Sequence, residues 1–454
     1  MAAGAGFQVR IDPAGDVRRI AVTAEGRRLD YRVHGPDQNS WRAFFAELAH
    51  DFGTRRPSSH AERAPAPSNP CLQPLLTRSV SPDILYGYGD PWVFHAEGAY
   101  HLAATSNDAP HAFPILRSVD LRGWDVAGFA FPGGATPAWA ATGFGVGDFW
   151  APEIIRSGGR YILCFSARQQ SRELAIGLAW SDRPEGPYTA APEPLLTGGV
   201  IDSHLFADRD GSLYLYWKED NNGRWPSLLV ELLHRRPELA ETIFPAEGDR
   251  RTARFLASLW PFTATREPME RFSILQLLIE AVSEDLAGVE ARLRGIAGDE
   301  AAIAPIIRAF RTPVRGQRLS PDLRLVDEPF PVIENDLPWE GALIEGMCLW
   351  EANGLYYLIY SANDFSTAHY GIGYAVAPSP RGPFRKAGAP LIRSTAEWWG
   401  PGHPSVAAGP DGQPILFLHA YPAGTSGYKS FRAVLAARLR LDGGHIALDP
   451  APLG

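Results

Sequence analysis

One short pattern recurs five times along this chain and constrains its fold more than any other feature. A turn glycine is followed by a run of alternating aromatic and aliphatic residues. The copies are Gly98-AYHLAATS, Gly159-RYILCFSA, Gly211-SLYLYW, Gly354-LYYLIYSA and Gly412-QPILFLHA. Each reads as a turn entering a strand of about seven residues, because β-prone side chains alternate after a residue that tolerates left-handed backbone. Two copies share a longer tail, AIGLAWSDRPEGPY at 175–188 and GIGYAVAPSPRGPF at 371–384. Repetition of this kind is the mark of an array of small sheets.

A second pattern stands before each strand: a polar or acidic residue next to a short apolar stretch. These are Asp90 in GDPWVF, Glu153 in FWAPEII, Asp202 in IDSHLF, Glu345 in IEGMCLW and His403 in GPGHPSV. They are separated by 63, 49, 143 and 58 residues. A four-stranded propeller blade needs roughly 40–50 residues, so three of these steps fit one blade each and the third is too long by about 85. The surplus has another character: residues 226–311 lose the Gly/aromatic punctuation, and Phe272, Leu275, Ile279, Val282, Leu286, Val289 and Leu293 recur at steps of three and four, as on one helix face. The stretch 316–329 then resumes β character. The expected fold is all-β: a five-bladed β-propeller with a helical insertion in blade three and a small α+β N-terminal segment. The expected divisions are an N-terminal accessory segment and linker (1–75), blades one to three (76–225), the helical insertion (226–311), and the remainder of blade three with blades four and five (312–454). Within the N-terminal segment, SWRAFFAELAHDF reads as a short amphipathic helix capped by Ser40, and 54–70 as a linker.

Charge and cysteine usage exclude several function classes. Forty-three basic against 51 acidic residues leave a net charge of −8, which offers no basic field to nucleic acid or an anionic membrane. No run of about 18 apolar residues is present to span a bilayer. The N-terminus lacks a basic stretch followed by an apolar one, so cytoplasmic residence is expected. Cys71, Cys164 and Cys348 are odd in number and have no CxxC spacing, and Cys164 and Cys348 lie in apolar strand-like runs as core thiols. HExxH, GxSxG and Walker A motifs are absent, and GFGVG at 143–147 lacks the strand–turn–helix setting of a nucleotide loop.

In a propeller the innermost strands line a central channel, so matching positions of different blades converge at one mouth. Asp90, Glu153, Asp202, Glu345 and His403 are expected there. Carboxylates sharing one cavity push their pKa values apart, as glycoside hydrolysis requires: one group stays protonated at the leaving oxygen and one stays ionised to act on water. Glu345, flanked by Ile344, Gly346 and Met347, has the apolar surroundings that raise a proton donor.

The motifs GDPWVFHAEGAYHLAATSN, FWAPEIIRSGGRYILCFSA, IDSHLFADRDGSLYLYW, IEGMCLWEANGLYYLIYS and GPGHPSV resemble, in order, the blade motifs of glycoside hydrolase family 43, over about residues 80–225 and 312–440. The resemblance implies an inverting hydrolase of α-L-arabinofuranosides, arabinan or β-D-xylosides, with an arabinose- or xylose-containing oligo- or polysaccharide as its partner. It implies Asp90 as general base, Asp202 as the acid that orients and tunes the donor, and Glu345 as general acid. It requires no cofactor for the chemistry, but implies a structural calcium ion near the axis with His403 beside it, the alternative being a plain hydrogen-bonded histidine. WAPE, IDSH and EGM depart from the usual WAPD, IDP and EGP, which leaves Glu153 lining the cleft or serving structure. Trp92, Phe149 and Trp150 are candidate sugar platforms that could equally pack the core, with Trp398, Trp399 and Tyr421 beside them, and Arg432 is a candidate for a sugar hydroxyl. A non-catalytic carbohydrate-binding or assembly propeller is the rival reading.

Overall fold

The computed structural model describes residues 6–12, 17–57, 67–107, 111–142 and 147–453. Residues 143–146 of the GFGVG stretch and 58–66 of the linker lie outside them. The chain forms two compact units.

The larger unit takes in the described residues of 64–220, 312–340 and 344–454 and is built from five antiparallel sheets. The first holds Gly89–Ala96, Ala99–Thr105, Pro114–Ser118 and Asp125–Phe129. The second holds Trp150–Ser157, Arg160–Arg168, Leu174–Ser181 and Thr189–Ala190. The third holds Val200–Ala207, Leu213–Glu219, Val314–Leu319 and Leu325–Ile333. The fourth holds Ile344–Ala352, Leu355–Ala362, Gly371–Ala377 and Arg385–Lys386. The fifth holds Trp398–Ala408, Pro414–Pro422, Ala433–Asp442 and His445–Asp449, and Gln73–Leu76 adds to its third strand. Each repeated motif is the second strand of a sheet, and each glycine that opens it sits in the tight turn from the first strand.

These second strands are buried on both faces, which explains why they read as almost continuous apolar runs. Leu102, Leu163, Leu215, Leu358 and Leu416 are all fully buried. The first strands of successive sheets pack against one another, and the fifth, Trp398–Ala408, packs against the first, Gly89–Ala96. Cys164 and Cys348 are buried free thiols, and Cys71 is a half-buried one.

The smaller unit takes in the described residues of 1–63, 221–311 and 341–343. It contains a three-stranded sheet (Gln8–Asp12, Val17–Ala24, Arg27–His34), the helix Gln38–Phe52, and six helices between Arg224 and Ala309. In the chain those six helices connect the second and third strands of the third sheet. The N-terminal stretch and the helical stretch, far apart in sequence and read separately from it, share one core. Phe7 meets Phe255 edge-on at 5.5 Å, and Arg18 pairs with Glu270 at 2.7 Å.

Two local expectations are corrected. The cap of the helix Gln38–Phe52 is Asp37, whose Oδ1 accepts from the Ser40 N–H at 2.9 Å, so Ser40 lies inside the helix. The apolar periodicity from Phe272 to Leu293 spans two helices, Pro268–Glu284 and Leu286–Arg294, broken at Asp285 (φ −138°). Three-and-four spacing survives a break of one residue, so periodicity alone did not reveal it.

Candidate active site

Every first strand of the five sheets carries the same defect. Its pairing with the second strand is in register at Gly89–Thr105, Trp150–Ser166, Ile201–Lys218, Glu345–Ser361 and Gly402–His419. It resumes at Trp92–Ala103, Glu153–Cys164, His204–Tyr216, Cys348–Ile359 and Ser405–Phe417, with one extra residue on the first strand. This is a β-bulge, a device that re-aims side chains. The residue that turns it has left-handed backbone: Asp90 (φ 49°), Ala151 (47°), Asp202 (54°), Gly346 (54°) and His403 (50°). For non-glycine residues such a conformation costs about 1 kcal/mol or more each, and it persists only where the surroundings hold it.

The register corrects the equivalence drawn from sequence. Asp90, Asp202 and His403 occupy the turning position, but Glu345 stands one residue before it and Glu153 two residues after it. The position of Glu345 in the second sheet belongs to Trp150, and the position of Glu153 in the first belongs to Trp92.

The turning residues are tied together. The Asp90 N–H donates to His419 Nδ1 (3.0 Å), that of Ala151 to Thr105 Oγ1 (2.8 Å), that of Asp202 to Ser166 Oγ (3.1 Å) and that of His403 to Ser361 Oγ (2.7 Å). Each acceptor is a polar residue near the end of the second strand of the preceding sheet. In the remaining sheet the Gly346 N–H donates instead to Asp202 Oδ2 (2.9 Å).

Asp90 accepts from Arg432 Nη1 at 2.9 Å and lies 3.4 Å from His403 Nδ1. Burial alone would raise its pKa, but Arg432 and then His403 outweigh it and hold the carboxyl well below the usual range. Gly89 makes room for this pair, since a Cβ there would sit 1.8 Å from Arg432 Cζ. His419 Nδ1 also lies 3.3 Å from Asp90 Oδ1. Burial and Arg432 bring that imidazole down to about 4, so near neutral pH it is uncharged and its Nδ1 serves as acceptor.

Glu345 has the opposite environment. Its Oε1 accepts from Tyr370 Oη at 2.8 Å, and its Oε2 lies 3.6 Å from Lys218 Nζ. Burial raises its pKa to about 7 against the pull of Lys218, and the nearby Asp202 pushes in the same direction as burial. Asp202 is itself raised by burial, a rise that His403 and Lys218 temper and Asp90 reinforces. This buried centre therefore holds an ionised carboxylate beside Arg432 and a carboxyl that binds a proton near neutrality.

Glu153 does not join them. Its Oε2 takes a bond from His204 Nδ1 (2.9 Å) and from the Leu205 N–H (3.2 Å), while His204 Nε2 accepts from the Leu349 N–H (3.0 Å). With Nε2 accepting, the ring proton sits on Nδ1, and Glu153–His204 becomes a buried link across the second, third and fourth sheets. Trp92 likewise serves packing: its Nε1 donates to the Ile154 carbonyl at 2.8 Å. Phe149 packs its ring against Phe113, Phe131 and Phe165. Tyr421 and Trp399 are buried, Tyr421 against His419, and Trp398 is half-buried, packed on an apolar core. Trp150 is half-buried, with its Nε1 donating to Asn107 Oδ1 (2.8 Å) and the Arg168 guanidinium 5.5 Å over its ring. Arg432 gives one of its five N–H donors to Asp90. Among the described residues no group of three or more His, Cys, Asp and Glu side chains is disposed to hold a metal ion. His403 belongs to no such group, and its Nδ1 lies 3.4 Å from Asp90 Oδ1.

Sequence reading missed Lys218, Tyr370 and His419. A signal for two of them was present. Apart from His101 in the first, the repeated strands run through apolar residues to a polar one near the end: Thr105, Ser166, Lys218, Ser361 and His419.

Fold and site together define a mainly β protein with a buried centre of carboxylates whose surroundings shift their pKa values in opposite directions. The sequence matches the description Glycosyl hydrolases family 43 over residues 81–236 and 309–446, and the chain belongs to that family. It is 44% identical over 70 residues to Xylosidase/arabinosidase 43A of Humicola insolens, a stretch covering 15% of this chain and 21% of that one. The chain spans about a fifth to a third of the length of the curated relatives it matches. Among solved structures it is similar to a thermostable family-43 glycoside hydrolase, with TM-score 0.57 and 26% identity over 83% of this chain and 96% of that one. A family-43 enzyme from Xanthomonas citri complexed with xylotriose shares the fold, with TM-score 0.51 and 23% identity over 83% of this chain and 92% of that one.

Proposed function

We propose that the larger unit is a five-bladed β-propeller, interrupted in its third blade by the helices, and that it hydrolyses pentose glycosides with inversion at the anomeric carbon. The substrates that suit it are α-L-arabinofuranosides, arabinan or β-D-xylosides, in keeping with the xylosidase/arabinosidase names of its relatives. The observation that carries this reading is the split between Asp90, held ionised by Arg432, and Glu345, raised to about 7 by burial, two carboxyls that both interact with Asp202. Asp90 removes a proton from the water that attacks the anomeric carbon, and Glu345 gives its proton to the departing glycosidic oxygen. After the step Asp90 carries a proton and Glu345 is a carboxylate, and exchange with solvent resets both. Asp202 holds the Gly346 N–H and so fixes the backbone beside Glu345. Trp150, which shares the strand position of Glu345, is the ring best placed for a sugar face to stack on.

Aryl α-L-arabinofuranoside and aryl β-D-xyloside assays test the reading, with Glu345→Gln and Asp90→Asn alongside. Turnover by the wild type, lost roughly a hundredfold or more in Asp90→Asn on either substrate and in Glu345→Gln on an alkyl glycoside, whose leaving group needs the proton, supports it. Proton NMR of the first product formed distinguishes the mechanisms, since retained configuration refutes inversion. Saccharide binding by calorimetry without any turnover would replace catalysis with a binding role.

A further inference from the structure

The ring of bonds between sheets is regular at four turning residues and broken at the fifth, and the break falls on the proton donor. In the first, second, fourth and fifth sheets the residue paired with the position before the turn is Thr105, Ser166, Ser361 or His419, and each accepts the next sheet's turning N–H. In the third sheet the same register places Lys218 there, opposite Ile201. An ammonium has three donors and no acceptor, so it cannot take the Gly346 N–H. Asp202 Oδ2 takes that bond instead, at 2.9 Å. The ammonium, with a side chain wholly out of solvent, lies 3.6 Å from Glu345 Oε2.

Resting on the reading of Glu345 as proton donor, we propose that Lys218 is its positioning residue: it replaces a ring acceptor with a buried cation, shifts Asp202 onto Gly346, and stabilises the carboxylate that Glu345 becomes. The hydrogen bond from Tyr370 to Oε1 leaves Oε2 to carry the acidic proton. Oε2 is the oxygen that Lys218 faces, so the cation weakens the hold on that proton before transfer and favours the anion after it. The groups facing Glu345 are Lys218 and Asp202 from the third sheet, Tyr370 from the segment entering the third strand of the fourth, and His403 from the fifth. Asp90 of the first sheet acts on Asp202. Only Lys218 brings an ammonium group to the position where every other sheet has an acceptor.

Two variants separate charge from structure. Lys218→Met removes the ammonium while keeping an unbranched chain. Lys218→Ser also restores the acceptor found at Thr105, Ser166 and Ser361, which protects the fold. Carbon-13 NMR of protein labelled at the glutamate carboxyls, with Glu345 identified by its absence in Glu345→Gln, follows the titration without any need for turnover. In both variants the Glu345 titration is expected to move up by about one pH unit or more, the scale of an opposite charge at this distance. On an alkyl xyloside, whose leaving group needs the proton, kcat is expected to fall about tenfold. On a nitrophenyl xyloside, whose leaving group does not, the fall should be smaller, and the alkaline limb of the profile should move up. An unmoved or lowered titration in folded Lys218→Ser would overturn the proposal, even with wild-type turnover intact. A raised titration in a protein that turns over no glycoside would support the coupling of Lys218 to Glu345 and sink the catalytic reading instead.

Discussion

Replacing Glu345 with glutamine should make the protein relatively more stable as the pH rises, and the size of the gain follows from the site. Burial lifts the Glu345 pKa from 4.5 to about 7. A carboxyl raised in the folded state binds its proton more tightly there than in the unfolded chain. Its contribution is therefore fully present below about 4.5 and is lost as the pH climbs through 7. The gap between 4.5 and 7 corresponds to about 3 kcal/mol. Glutamine keeps the shape, never ionises, and has no such loss. Urea unfolding of wild type and Glu345→Gln at pH 4.5 and at pH 8 measures the effect. At pH 4.5 the two should differ little beyond the exchange of one hydrogen-bonding group for another. At pH 8 the variant should be favoured by about 3 kcal/mol relative to that baseline. Parallel stability curves across the range would mean that Glu345 titrates as an ordinary surface acid, and both the burial argument and its role as donor would fall with them.

Other perturbations have defined outcomes. Arg432→Met removes the cation that holds Asp90 ionised, so the acidic limb of the kcat/KM profile should move up by about one unit or more, and an unmoved limb would separate Arg432 from the base. Gly89→Ala places a Cβ 1.8 Å from Arg432 Cζ and should cost at least about tenfold in kcat/KM by displacing that side chain, as fluorinated-substrate or aryl-glycoside kinetics would show. Glu153→Leu breaks the buried pair with His204 and should destabilise by about 3 kcal/mol in chemical unfolding while the pH optimum stays in place; a moved optimum would bring Glu153 into the chemistry. Ser361→Ala deletes the acceptor of the His403 N–H and should lower stability by about 1–2 kcal/mol, a loss that a serine-to-threonine exchange at the same site should largely avoid.

The sequence by itself determined the order and spacing of the strand motifs, the family, and the three acids on which a mechanism can be built. Those features are local. A turn glycine followed by alternating large apolar residues makes a strand in almost any setting, and Asp90, Asp202 and Glu345 stand beside such strands in recognisable surroundings. Tertiary structure decided where their side chains point. Glu153 and Glu345 looked equivalent in sequence, but a bulge of one residue moves one before the turn and the other two residues beyond it, and only pairing with the second strand sets that register. The partners that set the protonation states were invisible for the same reason. Arg432 lies 342 residues from Asp90, and Lys218 and Tyr370 reach Glu345 from two different sheets. The joining of the described residues of 1–63 with 221–311 in one compact unit likewise rests on ring and ion-pair contacts across more than 200 residues. A pKa depends on distance and burial in space, and neither is a property of neighbours along the chain.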